Sequence, residues 1–206
     1  VDIARRQFGV EIQKEELSSR SFDILDRERP EFFSRIHLAD GAKQLLLASA
    51  AAGVDRCPCT ASSERFVIPA LEHFDVLRYF GDRHVCQAKK KIGDGKYSGE
   101  SVDAALQLMG SPDPRSVVTF GDSMADIGAS VERRIGTIIL ILEAPDKEAA
   151  LTAFLKQLSA YDQTIGDSLD DDGYRPQIFI ANSLSQVRLI GRSDDIVHTV
   201  VFNPDA

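Results

Sequence analysis

The strongest constraint on the fold is a short apolar run that stops at a Gly-Asp turn. Residues 117–120 read Val-Val-Thr-Phe, and Gly121 and Asp122 follow directly. An apolar, β-branched run that glycine breaks off is typical of a buried central strand in a parallel sheet. Asp126 comes four residues after Asp122, in the first turn of the helix predicted over residues 125–131. The two carboxylates can therefore face one point beyond the end of the strand.

Carboxylates at this position suit a hard cation. Mg²⁺ takes oxygen ligands and is often shared with the phosphate group of a substrate. Asp122 and Asp126 are thus the candidate ligands of a Mg²⁺ cofactor. The alternative is structural, because Gly-Asp-Ser is a common turn in which Asp122 or Ser123 only caps the next helix.

Helices and strands alternate from about residue 41 onward. The predicted strands cover residues 54–59, 84–88, 117–120, 137–142, 177–181 and 196–202. The predicted helices cover residues 42–52, 64–71, 99–109, 125–131, 146–158 and 184–189. This alternation indicates a parallel sheet with right-handed crossovers, and ligands bind outside the carboxyl ends of such strands. The acidic segment 160–176 is predicted to be a mobile loop.

Two more polar segments follow predicted strands. Thr60 and Ala61 stand between a strand and a helix start, where backbone N–H groups favour an anion. The alternative is that Thr60 or Ser62 only caps that helix. Lys96 lies in a glycine-rich loop directly before the helix over residues 99–109. We expect Thr60, Lys96 and the two carboxylates to meet at the same edge of the sheet.

These motifs, in this order, resemble the haloacid dehalogenase-like (HAD) superfamily, in particular its branch with a helical cap near the N-terminus. Thr60 is similar to the hydroxyl residue of the second motif, and the Gly-Lys pair that ends at Lys96 is similar to the third. Tyr97 stands where the third motif usually has proline. Residues 121–126, Gly-Asp-Ser-Met-Ala-Asp, resemble the fourth motif, and the main likeness covers roughly residues 36–142.

The resemblance implies an α/β fold with a three-layer, Rossmann-like parallel sheet. It also implies that residues 37–206 form the HAD-like core and that residues 1–36 are the remnant of a helical cap.

Each candidate residue receives a role from the same resemblance. Thr60, Ala61 and Lys96 would bind the phosphoryl group of the substrate. Thr60 and Lys96 would also be catalytic, since a hydroxyl and an ammonium group aimed at the phosphoryl oxygens stabilise the transition state. Asp122 and Asp126 would hold Mg²⁺, which neutralises the phosphate as charge shifts.

One family motif is missing, namely the strand that ends in Asp-x-Asp and supplies the nucleophile and the general acid. Residues 23–26, Asp-Ile-Leu-Asp, have the wrong spacing and follow no apolar strand. The chain begins at Val1 and not at methionine, so a truncated chain is one explanation. A degenerate member that has lost catalysis is the other.

Two functions therefore compete. The first is a Mg²⁺-dependent phosphatase that acts on a small phosphorylated metabolite through an aspartyl-phosphate, with its nucleophile outside this chain. On this reading the chain alone is inactive or nearly so. The alternative is a non-catalytic HAD-like protein that binds a phosphorylated ligand or a protein partner.

Composition narrows the partners and the location. A formal net charge of −8 and a pI near 5.0 argue against non-specific binding to nucleic acid or to anionic membranes. The chain has no apolar run long enough to cross a bilayer, no signal-peptide pattern and only three cysteines, so we expect a cytoplasmic protein. A sheet edge left open by the missing strand would invite two copies to pair as a homo-oligomer.

Overall fold

The computed structural model describes residues 23–24, 30–60, 62–86, 99–142, 149, 152–153, 156, 174–191 and 198–202. The strands within these residues are β1 (Cys59–Thr60), β2 (Val85–Cys86), β3 (Val118–Gly121), β4 (Thr137–Ile141), β5 (Gln177–Ala181), β6 (Val187–Gly191) and β7 (His198–Phe202). The longer α-helices are α1 (Ala42–Ala51), α2 (Glu64–His73), α3 (Glu100–Leu108) and α4 (Met124–Glu132). Short 3₁₀ turns cover Leu77–Tyr79, Pro114–Ser116 and Leu184–Gln186.

The described strands form three sheets. β3, β4 and β5 are parallel with β4 in the middle, and β1 and β2 form a second parallel pair. β6 and β7 pair in antiparallel fashion. The parallel strands and the helices between them confirm the predicted α/β class.

The core is built around β4, whose sequence Thr-Ile-Ile-Leu-Ile is apolar after its first residue. Successive strand residues point to opposite faces of a sheet. Ile138 and Leu140 lie on the face that packs against α3 and α4, and Ile139 and Ile141 lie on the opposite face with Val187 of β6. α1 also contributes to the second face through Leu45. The sheet therefore lies between two outer layers, as predicted.

The helix predictions agree with the structure to within a few residues for α1, α2, α3 and α4. Gly53 has a φ of 67° directly after the end of α1, the left-handed conformation that glycine adopts readily at helix ends. The predicted helix over residues 184–189 is wrong, because a 3₁₀ turn at Leu184–Gln186 leads straight into β6. Val187, Leu189 and Ile190 are β-branched or apolar residues that pair with β7 instead.

The predicted strand over residues 54–59 shrinks to the two residues of β1. Arg56 donates hydrogen bonds to the carbonyl oxygens of Tyr79 at 2.8 Å and Val54 at 2.7 Å. Pro58 has no N–H group to donate to a strand ladder. The chain before Cys59 is thus held by a side chain and not by strand pairing.

β3 lies at the end of the three-stranded sheet and not at its centre. It pairs with β4 from Val118 to Gly121, and no described residue pairs with its other edge. Phe120 is consequently 42% exposed. The prediction of a strand at this place is confirmed, but the prediction that it is central and buried is wrong for the described part of the chain.

Aromatic rings join the helical residues 30–34 to α2. Phe33 is 4% exposed, and its ring lies 6.2 Å from that of Phe66 and 5.3 Å from that of His73, measured between ring centroids. Phe32 also contacts Phe66 edge-on at 5.6 Å. The end of the predicted cap segment thus packs on the core, while the proposed boundary between residues 1–36 and 37–206 stays a prediction.

The acidic segment 160–176 is described only from residue 174. Tyr174 is buried, and its hydroxyl donates a hydrogen bond of 2.7 Å to the carbonyl oxygen of Ile135. The predicted mobile loop therefore ends in an anchored residue. Of the predicted helix over residues 146–158, the described residues 149, 152–153 and 156 are helical. No helix in the described parts of the chain combines the length and the apolarity needed to cross a membrane.

Candidate active site at the ends of two parallel strands

Asp122 follows the last residue of β3, at the carboxyl end of the sheet. Its side chain is exposed, and among the described residues its carboxylate accepts no hydrogen bond and joins no ion pair. An exposed carboxylate without a protein partner at a strand end keeps its lone pairs available for a cation or for water. The structure thus places Asp122 where the sequence predicted it.

Asp126 lies four residues further, in the first turn of α4, and is more enclosed. Its Oδ2 accepts hydrogen bonds from the backbone N–H of Asp122 at 3.1 Å and that of Ser123 at 3.1 Å. The hydroxyl of Ser123 donates a third bond to the same oxygen at 2.7 Å. Ser123 is the N-cap of α4, and Asp126 reaches back to it as in a capping box. The structural alternative therefore holds for Ser123 and Asp126 but not for Asp122.

Thr60 ends β1, and its hydroxyl makes one hydrogen bond with the neighbouring backbone. Its Oγ1 accepts a hydrogen bond of 3.1 Å from the backbone N–H of Ser62, so its own hydrogen remains available to donate. The N-cap of α2 is Ser63, and its side chain makes no capping hydrogen bond. Neither Thr60 nor Ser62 holds that position. Ala61 lies outside the described residues.

The thiol of Cys59, in β1, interacts electrostatically with Asp126, which follows β3. Burial raises the pKa of Cys59, a hydrogen bond with Ser101 lowers it, and the negative charge of Asp126 raises it. Cys59 therefore lies within electrostatic reach of Asp126, and Thr60 is its direct neighbour in β1. Ser101 belongs to α3, which contacts β1, β2 and α4. The charge of Asp126 thus acts on the residue beside Thr60, while the meeting of Thr60 with both carboxylates at one site stays a prediction.

Lys96 lies outside the described residues, so its predicted place beside Thr60 stays a prediction. The described chain resumes three residues later, at Gly99. The backbone N–H of Gly99 donates a hydrogen bond of 2.9 Å to the carboxylate of Glu132, at the end of α4. Arg133 bonds Asp103 at 2.7 Å and Glu132 at 2.8 Å. These contacts fix the start of α3, directly after the segment that carries Lys96.

The two carboxylates fit Mg²⁺ in chemical type, although they do not complete a site. Their oxygens are the hard donors that Mg²⁺ prefers, and Mg²⁺ usually takes one or two carboxylates together with waters and substrate phosphate. No group of three or more His, Cys, Asp or Glu side chains within the described residues is arranged to hold a metal ion. Asp122 and Asp126 could therefore supply one side of a site that other groups complete.

Sequence reasoning missed three contributors to this region. Ser123 was read only as a helix cap, and its hydroxyl bond to Asp126 has no signature beyond the Ser-x-x-Asp spacing. No motif in the sequence brings Cys59 near Asp126. No sequence pattern pointed to Glu132, because its hydrogen bond with Gly99 joins residues that are 33 positions apart in the sequence.

Comparison with known proteins gives a consistent result. Residues 5–131 match the profile of a hydrolase family described as haloacid dehalogenase-like hydrolase. A search of curated protein sequences found no match.

Three solved structures have a similar fold. A protein from Thermotoga maritima assigned as a β-phosphoglucomutase has 19% identity and a TM-score of 0.56, over 74% of this chain and 67% of that one. A HAD hydrolase of family IA, variant 3, from Entamoeba histolytica has 15% identity and a TM-score of 0.59, over 91% and 74%. CbbY from Rhodobacter sphaeroides, in complex with phosphate, has 14% identity and a TM-score of 0.52, over 76% and 59%. Identities this low show a shared fold and leave the activity to be argued from the site.

Proposed function

The chain belongs to the haloacid dehalogenase-like hydrolase family, and on this premise we propose that it is a Mg²⁺-dependent phosphatase. Its substrate would be a small phosphorylated metabolite, and its nucleophile would come from a segment that is not in this sequence. The observation that carries the proposal is the exposed carboxylate of Asp122, which has no partner among the described residues and lies at the end of β3, beside Asp126.

The carboxylates would serve the metal side of the reaction. Asp122 and Asp126 would hold Mg²⁺, which neutralises phosphate charge when it is bound. Asp122 is the more available of the two, because Oδ2 of Asp126 already accepts three hydrogen bonds. An acidic pair without a cation would repel a phosphate dianion, so substrate binding should depend on the metal.

Thr60, Ala61 and Lys96 would serve the phosphate side. The Thr60 hydroxyl can donate to a phosphoryl oxygen while its Oγ1 keeps the bond from Ser62. The start of α2, where the side chain of Ser63 makes no capping hydrogen bond, would favour the same anion. Lys96 would supply the positive charge that orients the phosphoryl group and an incoming carboxylate.

The reaction would then proceed by an aspartyl-phosphate. An aspartate oxygen from the additional segment would attack phosphorus, and the bond from phosphorus to the alcohol oxygen of the substrate would break. A general acid from that segment would protonate the departing oxygen, and water would later hydrolyse the acyl phosphate to inorganic phosphate. We expect this chemistry in the cytoplasm, with no nucleic-acid or membrane partner, and pairing of two copies at an open sheet edge is a further proposal.

Calorimetry on the wild-type chain and on Asp122→Asn tests the metal side. The wild type should bind Mg²⁺, and the variant should bind at least about tenfold more weakly, which corresponds to a loss of about 1.4 kcal/mol. Asp82→Asn is the matched control, since Asp82 is equally exposed and lies away from the strand ends. Equal Mg²⁺ affinity of wild type and Asp122→Asn would refute the assignment of Asp122.

The same titration with inorganic phosphate in the presence of Mg²⁺ tests the phosphate side. Lys96→Ala should weaken phosphate binding and leave Mg²⁺ affinity unchanged. The alternative function, a non-catalytic protein that binds a phosphorylated ligand, makes the same binding predictions. A gene that encodes an Asp-x-Asp strand upstream of Val1 would favour the phosphatase, and a gene without one would favour the alternative.

A further inference from the structure

We infer that Asp126 acts mainly as a positioning residue, which holds residues 121–123 so that Asp122 faces the ion. This inference refines the proposed metal site and rests on it. The two carboxylates, which the sequence pattern treats as equivalent ligands, would then have different roles. Asp122 would contact the metal directly, and Asp126 would preform the loop before any metal binds.

The hydrogen bonds of Asp126 are concentrated on one oxygen. Oδ2 accepts from the N–H of Asp122, the N–H of Ser123 and the hydroxyl of Ser123, at 3.1, 3.1 and 2.7 Å. A carboxylate oxygen has about two lone-pair directions, so three donors saturate it. Only Oδ1 remains available to a cation, whereas the carboxylate of Asp122 keeps both of its oxygens.

Two of these donors are the backbone groups that set the direction of Asp122. The N–H of Asp122 and that of Ser123 belong to the peptide groups on either side of the Asp122 Cα atom. Bonds to both peptide groups limit how far that Cα atom, and the side chain on it, can turn. Hydrogen bonds to a charged acceptor are stronger than those between neutral groups, which suits a loop that must hold its shape.

Gly121 adds a second, independent indication that this contact is close. A Cβ atom at Gly121 would lie 2.3 Å from Cβ and 2.7 Å from Oδ2 of Asp126. Such distances are far inside van der Waals contact. The backbone at the end of β3 therefore packs directly on the Asp126 side chain, and only glycine leaves room for it.

The positioning role and a direct-ligand role predict different behaviour for Asp126→Asn. The amide oxygen can still accept the bonds from the loop, while an NH₂ group replaces the oxygen that would face an ion. If Asp126 is a positioning residue, the Mg²⁺ affinity of Asp126→Asn should be at most about threefold to fivefold below that of the wild type, because the substitution mainly removes a nearby charge. Direct ligation predicts a loss as large as that of Asp122→Asn.

Amide hydrogen exchange, followed by nuclear magnetic resonance, measures how firmly Asp126 holds residues 121–123 when no metal is present. The N–H groups of Asp122 and Ser123 should be protected in the wild-type chain and in Asp126→Asn. Asp126→Ala should lower both protection factors about tenfold or more, because it removes the shared acceptor. Unchanged protection in Asp126→Ala in the folded protein would overturn the inference.

Ser123→Ala separates positioning from ligation more cleanly, because it alters no carboxylate. It removes one of the three donors to Asp126, so Mg²⁺ affinity should fall about threefold. Ser34→Ala is the matched control, since its exposed hydroxyl also makes one local hydrogen bond, to the carbonyl oxygen of Glu31.

The outcomes can be told apart. Equal Mg²⁺ loss in Asp126→Asn and Asp122→Asn would make Asp126 a direct ligand and overturn the inference. Absence of Mg²⁺ binding by the wild type would refute a metal site formed by these two carboxylates alone, and the exchange data would then decide whether Asp126 positions residues 121–123.

Discussion

The three-stranded sheet and the two-stranded sheet of this chain are held in different ways. β4 pairs with β5 over all five of its residues and with β3 over four of them, and Ile138, Ile139 and Leu140 are at most 1% exposed. β1 and β2 share only two residue pairs. The chain around β1 depends on side-chain contacts, such as the bonds of Arg56 to Tyr79 and Val54.

The two sheets also carry different site residues. Asp122 and Asp126 follow a strand that is fixed by a parallel ladder and a buried core. Thr60 is the last residue of a two-residue strand, whose position depends on its contacts with α3. We therefore expect the carboxylate side of the site to be the more rigid half, and the phosphate side to be the half that neighbouring helices adjust.

The largest effect should come from the buried core of the three-stranded sheet. Ile138→Ala should lower the free energy of unfolding by about 2–4 kcal/mol, because it removes apolar contacts and leaves a cavity. Leu47→Ala, at a residue 50% exposed, should cost under about 1 kcal/mol, and Cys59→Ala, in the two-residue strand β1, should cost similarly little. Chemical denaturation measures all three. Equal costs at Ile138 and Cys59 would show that the two sheets are equally well packed.

A smaller effect should come from the contacts that fix the start of α3. Glu132→Ala removes the acceptor for the Gly99 N–H and a partner of Arg133, and should cost about 1 kcal/mol. Glu72→Ala is the control, at an exposed glutamate of α2, and should stay within about 0.5 kcal/mol.

Hydrogen exchange sharpens this second test. In Glu132→Ala, the amides of β1 and β2 should lose more protection than those of β4, because α3 contacts both short strands. Uniform loss of protection in the two sheets would mean that α3 does not control the two-stranded sheet separately.

The smallest effect concerns the reactivity of Cys59. Burial, opposed by the Ser101 hydrogen bond and reinforced by the charge of Asp126, raises the pKa of this thiol above the usual 9.0. The thiolate fraction at pH 8 is therefore low, and alkylation should be slower than for a free cysteine. Asp126→Asn removes the negative charge and lowers the pKa, so alkylation of Cys59 should speed up by about twofold.

The measurement is the rate of iodoacetamide labelling at Cys59 in a Cys57→Ser background, followed by mass spectrometry. Asp113→Asn serves as the control, because that carboxylate lies before β3, at the opposite end of the strand. An unchanged labelling rate in Asp126→Asn would mean that the charge of Asp126 does not act on the Cys59 thiol.

Much of the fold could be predicted from local sequence signals. Residues 138–141 are a continuous apolar run, which is typical of a buried strand in a parallel sheet. Gly53 ends α1 as expected, since glycine tolerates the left-handed conformation. The predictions went wrong where a distant contact outweighed the local pattern. Arg56 bonded to Tyr79 shortens β1, and pairing with β7 turns the predicted helix at residues 187–189 into a strand.

The sequence by itself determined the alternation of helices and strands, the family, and the position of Asp122 at a strand end. These follow from periodicity, glycine breaks and short motifs, which are local properties of the chain. Only the tertiary structure decided that β3 lies at the end of its sheet among the described strands and that the charge of Asp126 acts on Cys59. It also decided that Oδ2 of Asp126 is saturated by the loop beside it. Strand order and the direction of a hydrogen bond depend on atoms that meet only after folding, so spacing in the sequence could not supply them.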